Sequence, residues 1–181
     1  RAWQWQANPQ STWYECSRQG LRLYAAQAPS LFEAGQYLSQ LMQKFGFSMQ
    51  VRLTLHPDTL EDCAGIAVMG YTYHYLALYA GELRLVRGTA EDRGRHVPVR
   101  VRETVLAYRP VAGDTVVLQL QIRNGRVRFF YGEAEPAATP IGSEAALSCG
   151  GWTGARPGIF AMSKSPSVGS AVFAYCRFGG L

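Results

Sequence analysis

Lysine is nearly missing from this chain. Of its 18 basic residues only Lys44 and Lys164 are lysines, so the net charge of +5 is carried by arginine. Long apolar runs are missing too: none approaches the ~20 residues of a membrane-spanning helix, and no membrane partner is expected. The three histidines, His56, His74 and His96, stand apart with no neighbour at ligand spacing, and no metal ligand set is assigned. The four cysteines, Cys16, Cys63, Cys149 and Cys176, contain no C-x-x-C pair, which argues against the common zinc and thioredoxin-type readings. They permit three disulfide pairings, and their order does not choose among them. Cys63 and Cys176 lie in apolar strand patterns, where a small buried thiol is the default. The G-x-S-x-G elbow is absent. An initiator methionine and a signal-peptide pattern are also absent: RAWQWQANP reads as the start of a piece of a longer protein or of a mature chain, and it gives no localisation.

One basic cluster exists, Arg93, Arg95, His96, Arg100 and Arg102. A nucleic-acid reading finds no RNP motif, helix-turn-helix pattern or zinc finger beside it. A turn followed by a strand, with Arg100 and Arg102 on one solvated face, accounts for the spacing, and no nucleic-acid partner is expected.

What is present is β-type. With 181 residues the chain is long enough for one domain, residues 1–181, with a real core. Phe47 to Leu55 alternates cleanly, with Phe47, Met49, Val51, Leu53 and Leu55 on one face. Strands are also expected at Gly20 to Ala26, Ala64 to Gly70, Tyr73 to Tyr79, Leu83 to Arg87, Val97 to Leu106 and Thr115 to Ile122. Further strands are expected at Val127 to Tyr131, Ile159 to Met162 and Ala171 to Phe178. Ala80-Gly81 and Asn124-Gly125 mark tight hairpins. Ser30 and Glu33 have capping-box spacing, so the stretch from Pro29 to Lys44 is expected to make a short helical turn and then extend. Glu133 to Ala146 reads as an irregular surface loop. About ten strands predict two antiparallel sheets packed face to face.

No catalytic constellation emerges. Glu133 and Glu135 are two apart beside Pro136, a spacing that fits a solvated edge better than the two carboxylates that flank a glycosidic bond. The E-x-D-x-x-E strand of catalytic lectin-like sandwiches is absent. Aromatics carry more weight: Trp3, Trp5, Trp13, Tyr71, Tyr73, Tyr75, Tyr131 and Trp152 exceed the needs of one core. Trp152 sits in Gly150-Gly151-Trp152-Thr153-Gly154, where a large ring among glycines can serve as a platform for a flat ligand such as a sugar. Tyr71, Tyr73 and Tyr75 share a strand face, for which packing across the sheet is the simpler account.

The order of motifs resembles a known domain. Trp3-Gln4-Trp5-Gln6-Ala7-Asn8-Pro9 resembles the W-x-W-x-x-N-P opening of the C-terminal domain of family 43 glycoside hydrolases, the β-xylosidases and α-arabinofuranosidases. Gly20 to Leu23, Asp62 to Ile66 and Val127 to Tyr131 are similar to its G-x-L-R-L, D-x-A-G-L and F-x-Y-S segments. Trp152-Thr153-Gly154 with Pro157 to Ala161, and then Ala171 to Phe178, resemble its close. The chain departs from the pattern at Leu41, where the family has arginine, at Gly132, where it has serine, and at Ala174 and Cys176.

The resemblance implies an all-β fold, a concanavalin-A-like jelly roll built as a two-sheet antiparallel sandwich. It implies a domain that follows a catalytic propeller and sends one aromatic, here Trp152, towards the active site. It also implies xylan or xylo-oligosaccharide as ligand. The expected role is therefore a non-catalytic, carbohydrate-binding accessory domain. Trp152 would be its stacking platform, Arg156 and Gln40 hydroxyl partners, and Tyr71 and Tyr73 further candidates. Trp3, Trp5 and Asn8 would meet the catalytic domain. The alternative is a structural clamp on the propeller that binds no free sugar. No cofactor is expected; a structural calcium is conceivable from the family alone.

Overall fold

In the computed structural model, which describes residues 3–42, 46–91, 100–149 and 154–181, the chain folds as two antiparallel sheets packed face to face. The first nine strands are β1 (Gln4–Trp5), β2 (Tyr14–Ser17), β3 (Gly20–Tyr24), β4 (Ala26–Gln27), β5 (Leu38–Ser39), β6 (Gly46–His56), β7 (Cys63–Met69), β8 (Thr72–Tyr79) and β9 (Glu82–Ala90). The rest are β10 (Val101–Pro110), β11 (Thr115–Arg123), β12 (Arg126–Gly132), β13 (Thr139–Ala146), β14 (Arg156–Ser163) and β15 (Ser170–Gly180). Sheet A runs β1-β5-β14-β7-β8-β9-β10, with β4 added in parallel to β14. Sheet B runs β13-β12-β11-β6-β15-β3-β2.

Alternation builds the core. Met49, Val51, Leu53 and Leu55 of β6 point inward with Leu118, Leu120 and Ile122 of β11, and meet Ile66, Leu76, Leu78 and Leu85 from sheet A. The expected hairpins form: Gly81 has φ 83°, and Asn124 and Gly125 both take positive φ, 49° and 72°, as a type I′ turn requires. Arg100 and Arg102 are both exposed, and Arg102 pairs with Glu91 at 2.7 Å. Arg93, Arg95 and His96 lie outside the described residues.

Sheet A is buried on its second face as well. Tyr73, Tyr75, Ala77 and Tyr79 point away from the main core and are covered by the segment at 28–37, which supplies Leu31, Ala34 and Tyr37. This segment starts with the expected single turn: Ser30 Oγ meets Glu33 Oε2 at 3.0 Å, and Glu33 N donates to the Ser30 carbonyl at 3.1 Å. It then extends into β5. Glu103 of β10 pins it, accepting from Leu31 N at 3.3 Å, the Tyr73 hydroxyl at 2.7 Å and Lys164 Nζ at 3.0 Å.

Asp62, just before β7, is buried and fully engaged. Its Oδ2 accepts from Asp58 N at 2.7 Å, Thr59 N at 3.1 Å and Ser167 Oγ at 2.7 Å, while Oδ1 accepts from Thr59 Oγ1 at 3.0 Å. Burial pushes its pKa up, and these hydrogen bonds outweigh burial, so the carboxyl lies below its ordinary value. Gly169 leaves the room: a Cβ there would overlap the Asp62 carboxylate.

One expectation is corrected. The stretch from Glu133 to Ala146 is not irregular throughout, because Thr139–Ala146 forms β13, the edge strand beside β12. Pro140 and Gly142 obscure its alternation, but an edge strand tolerates proline, and a register shift between Val127 and Phe129 of β12 absorbs the irregularity.

Candidate functional site

Two features gather the residues singled out in the sequence. The first is a rim at one end of sheet A. Arg156 opens β14 opposite Met69, and its guanidinium Nε and Nη2 donate to Ser39 Oγ at 3.1 and 2.7 Å. Gln40 follows Ser39; it is buried, and its N–H donates to the Pro157 carbonyl at 2.9 Å. Tyr71 links β7 to β8, with its N–H donating to the Cys149 carbonyl at 3.4 Å. Thr72 N donates to Ser148 Oγ at 3.2 Å, and the Gly70 backbone packs so closely on the Ser148 carbonyl that no side chain fits there. Tyr71 thus bonds Cys149 and Arg156 stands two residues beyond Gly154, the described residues on either side of 150–153, while Gln40 bonds β14 next to Arg156. Trp152 itself lies outside the described residues.

Beneath the rim, Tyr37 ties the layers together. Its hydroxyl lies 3.1 Å from the Ala67 carbonyl and 2.5 Å from the Arg156 carbonyl. Burial pushes this phenol well above its ordinary pKa, so it stays a neutral donor. The spacing of Tyr37 and Ser39 held no sign that they would position Arg156, since the contacts span 119 and 117 residues of sequence.

Tyr73 is not at the rim. Its ring is 0 % exposed in the second core, where it stacks near Tyr75 with centroids 6.3 Å apart and its hydroxyl is bound to Glu103. A fully buried ring offers no face to a sugar, so packing describes Tyr73 and Tyr75.

The second feature is an aromatic edge where β1 and β5 approach β2, β3 and β15. Trp5 meets Trp13 at 6.0 Å and Tyr14 at 5.3 Å, and Trp3 meets Phe178 edge-on at 5.7 Å. Trp3, Trp5, Tyr14, Leu21, Leu38 and Cys176 line an apolar recess of about 440 Å³. Trp3 and Tyr14 remain 36 % and 37 % exposed, enough to leave a ring face free. Asn8 is exposed beside this edge. Tyr14, in a strand too short to show alternation, is a contributor that pattern reading does not reveal.

Other candidates take ordinary places. Glu133 and Glu135 are both exposed, and Glu135 is ion-paired with Arg177. Burial pushes the Cys63 and Cys176 thiols up to about 12, which keeps both protonated. All four cysteines are free. Among the described residues no three His, Cys, Asp or Glu side chains are grouped to hold a metal ion.

Comparison with known families places this arrangement. Residues 1–179 match the model of the β-xylosidase C-terminal concanavalin A-like domain. The chain belongs to this family. Solved structures agree on the fold. The β-xylosidase C-terminal-type domain described here superposes on a bifunctional GH43-CE protein of Bacteroides eggerthii with TM-score 0.84, at 17% identity over 98% of this chain and 25% of that one. For the GH43 protein BlXynB of Bacillus licheniformis the values are 0.81 and 21%, over 99% of this chain and 37% of the other. For xylan β-1,4-xylosidase of Bacillus halodurans they are 0.75 and 18%, over 94% and 35%. The domain therefore spans between a quarter and about two fifths of the length of these relatives. No curated protein sequence matches it.

Proposed function

We propose that this domain is a non-catalytic accessory module of a xylan-degrading, family 43-type glycoside hydrolase, and that it contacts xylo-oligosaccharide through the loop between Cys149 and Gly154. The observation that supports this reading most is that Tyr71 bonds Cys149 while Arg156, two residues beyond Gly154, is held by Ser39, so both adjoin the ends of the segment that carries Trp152. Trp152 supplies the stacking face, and Arg156 meets a hydroxyl, its fork steadied by Ser39. Gln40 closes the floor. The role calls for no cofactor, nucleic acid or membrane. One stacked sugar contributes on the order of 1 kcal/mol, so the isolated site is weak and gains from linkage to a catalytic propeller in the parent chain.

Titration of the domain with unsubstituted xylo-oligosaccharides, followed by tryptophan fluorescence, tests the reading. Saturable binding that disappears in Trp152→Ala supports it; binding that persists in the variant rejects the loop as the site.

The aromatic edge favours a second reading. An apolar recess rimmed by exposed Trp3 and Tyr14 suits a protein neighbour, and the domain would then clamp the propeller without holding free sugar. If the isolated domain binds no xylo-oligosaccharide, while Trp152→Ala in the parent enzyme still lowers turnover, the clamp is the better account.

A further inference from the structure

The inward face of sheet A changes character towards one end. The register lays Ile66, Leu76 and Leu85 in one row across β7, β8 and β9, and all three belong to the main core. Two residues further along the strands, alternation returns to the same face, and the row there reads Val68, His74, Arg87. Val68 is still part of the core. The other two positions hold an imidazole and a guanidinium where the pattern calls for apolar side chains. Strand β13 of sheet B does not seal this end. Between it and strands β8 to β10 lies a recess of about 650 Å³, lined by Thr72, His74, Arg87 and Leu106 on one side and by the 142–148 stretch on the other.

His74 and Arg87 face each other with nothing between them to balance their charge. They are directly opposite in the antiparallel pair, where side chains stand about 5 Å apart and like charges repel. His74 is 5 % exposed, and its imidazole makes no hydrogen bond with a described residue. Gln36 Oε1 is the one sealed side-chain atom without a partner among the described residues, so the His74 nitrogens open on the recess. Arg87 is exposed and makes no ion pair or hydrogen bond with a described residue. Its contact with His74 is unfavourable: burial first, and then Arg87, hold the imidazole below its ordinary pKa. The other charged side chain among the described lining residues is Glu144, and it is committed to Arg126 at 2.6 Å. The recess therefore carries one unneutralised positive charge beside an unpartnered imidazole.

We propose that this recess binds a small hydroxylated monocarboxylate, of the size and chemistry of a sugar acid. The carboxylate sits between His74 and Arg87, where the guanidinium fork takes its two oxygens and the imidazole N–H donates to one of them. Thr72 and Ser143 offer hydroxyls with no side-chain partner among the described residues, and these donate and accept as the ligand's own hydroxyls do. Leu106 and Leu147 offer apolar surface to its C–H groups. The volume suits one such molecule. A phosphate dianion would meet the Glu144 carboxylate and find no second free cation; a fatty acid would leave the hydroxyls unmatched. The site goes beyond the accessory role proposed above and does not use the 149–154 loop.

Titration of the whole 181-residue chain with glucuronate, glucose, acetate and inorganic phosphate, read by calorimetry and by the imidazole NMR signals, tests it. His74→Gln identifies the His74 signal. Glucuronate is expected to bind, with glucose and acetate about tenfold weaker, since each lacks half of the match. A bound carboxylate offsets Arg87 and favours the imidazolium. Glucuronate should therefore raise the His74 pKa and bind more tightly as pH falls from about 7.5 to about 5.5, a range in which its own carboxyl stays ionised. Arg87→Gln weakens glucuronate by about tenfold, and His74→Gln removes the pH dependence. Circular dichroism checks that both variants fold. Trp152→Ala leaves glucuronate binding within about twofold. Three outcomes overturn the proposal. Glucuronate gives neither saturable heat nor a shift of the His74 signal; or its affinity is unchanged in Arg87→Gln; or acetate or phosphate binds as tightly as glucuronate, which reduces the recess to bare charge. None of these bears on the loop reading, which stands or falls with the xylo-oligosaccharide titration.

Discussion

Asp62 shows how much one buried side chain can organise. It joins the turn after β6 to the turn before β15, segments about a hundred residues apart, through four hydrogen bonds. Asp62→Asn keeps the shape but turns one oxygen into a donor that faces other donors. It is expected to cost roughly 2–4 kcal/mol, measured by urea unfolding. Because the folded-state pKa lies below the unfolded one, the contribution of Asp62 is present above about pH 4 and is lost as pH falls through the folded value. The gap between the two proteins should therefore narrow at low pH. His74 acts in the same direction from a higher starting point. Burial first, and then Arg87, lower its pKa. The neutral imidazole is favoured in the fold, so stability is full above about pH 6.5 and falls as acid protonates the unfolded chain first. His74→Gln should flatten the unfolding midpoint between roughly pH 7 and 5.

At the scale of the element, the cover over sheet A decides more than any single strand. Leu31 is 0 % exposed beneath it. Leu31→Ala is expected to cost about 2–5 kcal/mol and to speed hydrogen exchange in the 28–37 segment before the strands are affected. This cover was half legible in sequence. Ser30 and Glu33 announced its turn, but Tyr37 and Leu31 read as ordinary apolar residues, because the face they bury against is assembled from β7, β8 and β14. Strands β6 and β11 were plain in the sequence, since each alternates over a long run, and β8 and β12 were marked by the Ala80-Gly81 and Asn124-Gly125 turns beside them. The edge strand β13 was not, because Pro140 and Gly142 mask a half-exposed period. The candidate rim divides in the same way. Arg156 and Gln40 stood out by motif order, whereas Ser39, which holds the arginine, is brought to it only by the pairing of β5 with β14.

For the whole molecule, the aromatic edge governs association. With Trp3 and Tyr14 offering free ring faces, sedimentation of the isolated domain at high concentration is expected to show weak self-association that Trp3→Ser reduces. The same edge brings the two ends of the described chain together, with the Trp3 and Phe178 rings 5.7 Å apart. Their attachments differ greatly: β1 pairs with β5 at Gln4 and Trp5, with Gln6 and Ala7 bonding the Tyr37 and Gly35 carbonyls beyond it, while β15 pairs along β6 from Ser170 to Gly180. Tension applied across these ends would meet a weak fastening first. The N-terminal segment peels away at low force and lengthens the tether, and the sandwich behind it keeps its shape until the load is much higher. A flanking domain could thus be tugged or tilted without unravelling this one, the short N-terminal fastening yielding as a mechanical fuse.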